Sequence, residues 1–129
     1  LELSNNGLSG TLHTSLGNIA SLTHLELNNN RLSGTIPNNL HPSAILVINL
    51  SRNRLSGTLP SAFGLARQLI TLNVDENLLS GSLPESLFNL GALAEVYTAT
   101  NRFSGSLPPT ILNAKALTRI NIDGNPLLS

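Results

Sequence analysis

His13, His24 and His41 are the only imidazoles in this chain, and no two of them stand at a spacing that would put both on one metal ion. Cysteine is absent, so neither a thiolate nucleophile nor a sulfur-ligated metal can form. Asp75 and Glu76 are adjacent, and neighbours on a strand point to opposite faces, which argues against a carboxylate pair acting on one atom. No nucleophile elbow and no phosphate-binding loop occurs. The expectation is a non-enzymatic chain with no cofactor and no metal. The chemistry that remains is recognition by hydrogen bonds and charge. Glu95, Tyr97 and Arg102 carry its strongest form, because an exposed tyrosine beside ionic groups is a common composition of binding hot spots. The plainer reading of Tyr97 is a cover over the irregular turn at Thr98.

The charges are not scattered. Of fourteen Asp, Glu, Lys and Arg residues, eleven fall in one recurring window: Glu2, Glu26, Arg31, Arg52, Arg54, Asp75, Glu76, Glu95, Arg102, Arg119 and Asp123. Only Arg67, Glu85 and Lys115 lie elsewhere. The window is set by an asparagine at positions 6, 30, 53, 77, 101 and 125, so that successive intervals are 24, 23, 24, 24 and 24 residues by subtraction. Self-similarity at a period in the twenties marks an array of one supersecondary unit.

Within each unit the apolar residues keep their places. Three residues before the marker stand Leu3, Leu27, Leu50, Val74, Thr98 and Ile122; five before it stand Leu1, Leu25, Ile48, Leu72, Val96 and Ile120. That alternation predicts a short strand with one buried face. Further apolar positions fall eight before the marker and two, six and ten after it, as in Leu69, Leu79, Leu83 and Leu87. Every turn points the same set inward, and only stacked turns can bury it. Thr98 breaks the set, so its hydroxyl must bond a neighbouring carbonyl or leave the strand loose. The markers Asn6, Asn30, Asn53, Asn77, Asn101 and Asn125 form a structural ladder. A buried amide costs about 1–3 kcal/mol if unpaired, so each should bond backbone groups of its own turn and the next. The interval around His41-Pro42 is one residue short and reads as a trimmed loop opposite the strands.

On the outer side of the strands the polar residues line up in columns. Glu2, Glu26, Asn49, Asn73, Tyr97 and Asn121 form one. His24, Val47, Thr71, Glu95 and Arg119 run beside it, and Ser4, Asn28, Ser51, Asp75, Ala99 and Asp123 form a third. Arg31, Arg54 and Arg102 stand just past the marker. The plainer reading of these columns is a solvated face whose opposite charges pair across turns.

The unit reads Leu-x-x-Leu-x-Leu-x-x-Asn-x-Leu-Ser-Gly-x-Leu/Ile-Pro, with Ser-Gly at 9–10, 33–34, 56–57, 80–81 and 104–105. Pro37, Pro60, Pro84 and Pro108 follow, and His13 fills that slot in the first turn. This resembles the leucine-rich repeat, in its plant-type subclass, over essentially the whole chain. The resemblance implies an α/β-type solenoid that is mostly β: right-handed, with a parallel concave sheet and an irregular or 3-10 convex side. It also implies that the Ser-Gly-x-Leu/Ile-Pro segment can add a short second strand. Gly there permits a sharp bend or a positive φ. The family presents ligands to the concave face and its rim, which makes His24, Glu26, Arg31, Asn49, Arg54, Asn73, Asp75, Glu95, Tyr97, Arg102, Arg119 and Asn121 the candidate binding residues. The implied partner is a protein or peptide, in a chain similar to the ectodomains of receptor-like kinases and receptor-like proteins at the cell surface. A secreted inhibitor-like repeat protein and a scaffold subunit of a large complex are the alternatives.

Zero formal net charge removes the electrostatic case for nucleic acid, and an aromatic content of 3% removes a base-stacking platform. No apolar run approaches a membrane span, so any membrane attachment belongs to parts outside this chain. Residues 1–129 read as one repeat segment of about five turns plus the start of a sixth. Neither end shows a capping turn, so the expectation is a piece of a longer protein. Asn49-Leu50-Ser51 is the only N-glycosylation triplet.

Overall fold

The computed structural model describes residues 1–129. Eleven strands, numbered β1 to β11 along the chain, separate by parity into two parallel sheets. The even set is β2 (His24–Glu26), β4 (Val47–Asn49), β6 (Thr71–Asn73), β8 (Glu95–Tyr97) and β10 (Arg119–Asn121). These are the strands that the alternation predicts, and they form the concave sheet. The odd set is β1 (Ser9–Thr11), β3 (Arg31–Thr35), β5 (Arg54–Thr58), β7 (Leu78–Gly81), β9 (Arg102–Gly105) and β11 (Leu127–Leu128). The short optional strand of the expectation is thus a continuous sheet of six.

No α-helix forms. Four 3-10 helices, Thr14–Asn18, Ser61–Leu65, Glu85–Asn89 and Pro109–Asn113, close the side opposite the concave sheet. Pro60, Pro84 and Pro108 immediately precede three of them. His13 precedes the fourth and does more than fill an exposed loop: its Nδ1 accepts from the Ser15 N–H at 3.1 Å and caps the helix. The second turn, one residue shorter, has no such helix between Pro37 and Ile45.

Between the sheets the predicted inward set packs as one core. Leu25, Ile48, Leu72 and Val96 are fully buried, as are Leu55, Leu79 and Phe103 on the other sheet. Each such side chain contributes about 1.5–3 kcal/mol by leaving water. The two end turns differ from the rest, as the lack of a capping turn there leads one to expect. Leu1, Leu3 and Leu8 in the first turn and Ile120 and Leu127 in the last are exposed, because their inward positions have a neighbouring turn on one side only. Thr98 is tight rather than loose. It is fully buried, and its Oγ1 donates to the Asn121 carbonyl at 3.3 Å.

The asparagine ladder forms, with its direction reversed from the expectation: each amide reaches its own turn and the preceding one. Asn77 Oδ1 accepts from Leu55 N at 3.0 Å, while its Nδ2 donates to Leu50 O at 3.0 Å and Val74 O at 3.1 Å. Asn30, Asn53, Asn101 and Asn125 repeat the pattern. Asn6, in the first of the turns described, makes one side-chain bond, to Ser4 O, and stays exposed.

Candidate functional site

The concave strands pair in sequence register, so the two outward columns that lie on the strands are physical rows across the sheet. Glu26 lies beside Asn49, Asn49 beside Asn73, Asn73 beside Tyr97 and Tyr97 beside Asn121. His24, Val47, Thr71, Glu95 and Arg119 make the parallel row. In three turns the outward asparagine has a second duty. Asn49, Asn73 and Asn121 each accept, through Oδ1, the N–H two residues ahead: Ser51, Asp75 and Asp123 at 3.2, 3.0 and 3.1 Å. These are Asx turns that end the strand. They fix the side chains and leave their Nδ2 groups as donors toward solvent.

Turn five has Tyr97 where turns three, four and six have asparagine, and this displaces a neighbour. Ala99 N–H finds its acceptor in Asp75 Oδ1 of the preceding turn, at 2.5 Å. Asp75 is drawn half into the wall. Burial raises its pKa from the ordinary 3.8, the Ala99 N–H lowers it, Glu76 raises it again and Arg52 lowers it; the net direction is up. The third column is therefore corrected. Its members follow the strands rather than sit on them, and Ser51 and Ala99 are buried rather than outward. Asp75 and Glu76 lie in a turn rather than on a strand, and both line one cleft, so the expected divergence of strand neighbours does not apply; Glu76 pairs with Arg52 Nε at 2.9 Å.

The residue before each marker was not singled out by the sequence. Asn5, Asn29, Arg52, Glu76 and Thr100 all have φ between 52° and 60°, and Gly124 follows at 69°. Asparagine tolerates that left-handed region; arginine, glutamate and threonine do so at a cost. The turn geometry lifts these side chains beside the concave strands. Together with the third column they enclose a cleft of about 170 Å³, lined by Asn28, Asn29, Ser51, Arg52, Asn73, Asp75 and Glu76, none of them hydrophobic.

Tyr97 is half-buried, and the arginine that engages its row is Arg119 rather than Arg102. Arg119 lies 3.4 Å from Glu95 Oε1, and the Tyr97 hydroxyl beside it, followed by the Glu95 carboxylate, raises its pKa above the ordinary arginine value. Arg31, Arg54 and Arg102 are exposed but begin β3, β5 and β9, so they belong to the second sheet and not to the concave face. None of the three forms a salt bridge. Cross-turn pairing, the plainer reading of the charges, accounts for Arg52–Glu76 and Arg119–Glu95 only. His24 is exposed, its Nδ1 3.1 Å from Thr23 Oγ1. Asn49 is half-buried at the middle of the concave sheet, with Ser51 Oγ donating to its Oδ1 at 2.8 Å. A glycan on Asn49 would stand over the two rows of side chains on the concave sheet.

A second groove, about 510 Å³, runs over the starts of two 3-10 helices, beside Asn38, Thr58, Pro60, Ser61, Ser82, Pro84, Glu85 and Ser86. The Ser86 hydroxyl there already donates to Ser61 O at 2.7 Å. No group of histidines and carboxylates in the molecule is arranged to hold a metal ion.

The Leucine Rich Repeat family model matches residues 21–42, 45–65 and 68–90. Comparison with curated proteins returns no match. Among solved structures, the PEPR1–AtPEP1 complex superposes with a TM-score of 0.95 at 36% identity over 97% of this chain, which spans 18% of that one. The ectodomain of the receptor kinase SOBIR1 from Arabidopsis thaliana gives 0.89 at 31% identity over 99% of this chain and 70% of its own. The BIR2 ectodomain from Arabidopsis thaliana gives 0.91 at 34% identity over 100% of this chain and 68% of its own. The Arabidopsis receptor kinase HAESA, in complex with the peptide hormone IDA and the co-receptor SERK1, gives 0.86 at 34% identity over 88% of this chain, which spans 19% of that one.

Proposed function

We infer, because the chain belongs to the leucine-rich-repeat family, that it is a peptide- or protein-binding module of a receptor ectodomain at the cell surface. The observation that carries the reading is the outward face of β2, β4, β6, β8 and β10. Five strands in register offer two unbroken rows of side chains, most of them polar, at a spacing near 4.8 Å. Such a surface suits an extended segment lying across the strands, whose side chains and amides meet a new residue at each turn. The likeness to PEPR1 with AtPEP1, and to HAESA with its peptide hormone, supports the same reading. Recognition rather than catalysis is the role assigned, and any membrane attachment lies outside these residues.

The residues assigned to contact are His24, Glu26, Asn49, Asn73, Asp75, Glu95, Tyr97, Arg119 and Asn121, with Arg31, Arg54 and Arg102 removed to the flank. The test is to select a random peptide library on the chain and measure the affinity of an enriched peptide. Val47→Trp, which fills the middle of the concave face, is expected to weaken binding at least tenfold. Arg67→Glu, away from the window, should leave it unchanged. Enriched peptides indifferent to Val47→Trp overturn the reading.

A further inference from the structure

The neutral chain hides a division of charge. Around the concave strands and the turns that follow them lie six acids, Glu2, Glu26, Asp75, Glu76, Glu95 and Asp123, against two bases, Arg52 and Arg119, so the sum there is 2 − 6 = −4. Both bases are already held in ion pairs. The second sheet carries Arg31, Arg54 and Arg102 and no acid. An approaching chain therefore meets an acidic concave face whose own cations are spoken for.

On that face one place has walls. The cleft between turns two and four is lined by hydrogen-bonding side chains alone. Its two carboxylates outnumber its one guanidinium, and that guanidinium is engaged through Nε by Glu76. Asp75 is fixed by the Ala99 N–H on one oxygen, is half-buried, and has no cation partner. Asn29 donates through Nδ2 to Asn5, which leaves its carbonyl oxygen as a further acceptor. At about 170 Å³ the cleft is smaller than the roughly 300–1,000 Å³ of a small-molecule site, so it holds the head of one side chain rather than a length of peptide. We propose that this cleft seats a cationic head, a guanidinium or ammonium, of a basic peptide lying on the concave face, with Asp75 as its principal acceptor.

The proposal rests on the concave-face reading above, and the same selection separates the two. Peptides enriched from a random library on the chain should be rich in Arg and Lys and poor in Asp and Glu, with one basic position constant. An enriched peptide should bind Asp75→Asn about tenfold more weakly, the loss of one hydrogen bond to a charged group. Asparagine keeps an oxygen for the Ala99 N–H, so the wall stays built, and circular dichroism confirms the fold. Replacing the constant basic residue of the peptide by norleucine should cost the same factor on the parent chain and nothing further on Asp75→Asn. Enriched peptides that are neutral or acidic, yet lost on Val47→Trp, overturn the cationic seat and keep concave binding. Basic peptides that bind Asp75→Asn as well as the parent also overturn the seat. Enriched peptides insensitive to Val47→Trp overturn both.

Discussion

The two sheets are built from the same turns and obey different rules. The second sheet repeats itself: Leu-Ser-Gly recurs at 32–34, 55–57 and 79–81, with Phe103 replacing the leucine at 103–105. The concave sheet repeats only its buried column, and its outward residues run His-Glu, Val-Asn, Thr-Asn, Glu-Tyr and Arg-Asn from turn to turn. One side holds the backbone shape constant so that the other can change its side chains without changing the fold. The ladder asparagines join the two, because each amide is bonded to backbone on both sides of the bend.

Breaking that joint is the largest effect expected. Asn77→Ala strips Leu55 N of its acceptor and Leu50 and Val74 carbonyls of a donor in a buried site. It should destabilise the chain by about 2–4 kcal/mol in urea unfolding. The repeated sheet comes next. Gly57 has φ +80°, and a Cβ there would lie 2.9 Å from the Thr35 methyl. Gly57→Val is expected to cost about 1–3 kcal/mol. Thr71→Val, on the outward face of β6, should stay within about 0.5 kcal/mol. Equal costs for these two would erase the contrast between the sheets.

The smallest effect sharpens the concave side. The pKa of Asp75 is raised in the fold above 3.8, so its protonated form favours the native state. That contribution is present in full below pH 3.8 and is lost as pH rises through the folded value. Glu76 and Arg52, the charged groups facing it, act in opposite directions, and Glu76 adds to the rise. Asp75→Asn removes the dependence. The stability of the parent relative to the variant should therefore fall as pH rises from below 3.8 toward neutrality. Urea unfolding across that range checks it, and a flat difference would place Asp75 in solvent.

What the sequence made legible is what repeats within one turn. The marker spacing gives the strands, and the alternation gives their buried side, down to Thr98 and its carbonyl partner. What depended on a neighbouring turn was harder to read. That Asp75 leans into the wall follows from Tyr97 one turn on, which cannot form the Asx turn that asparagine forms at 49, 73 and 121. The place of Arg31, Arg54 and Arg102 turned on where the second sheet begins, and Ser-Gly marks its middle rather than its start. The left-handed position before each marker is occupied by Asn, Arg, Glu, Thr and Gly, and those types share no signal.

The backward reach of the ladder has a genetic meaning. Asn77 completes turn three, yet everything it touches there is main chain, which any residue supplies. For the ladder, therefore, a turn does not need to know the side chains of the turn it follows; side-chain bonds such as Asp75 to the Ala99 N–H are additions to it. Blocks of about two dozen residues can be duplicated, lost or exchanged within such a gene without unpicking the bonds that hold the coil. Each exchange deals a fresh pair of outward residues to the concave face, so new specificities can arise by shuffling whole turns rather than by remaking a core.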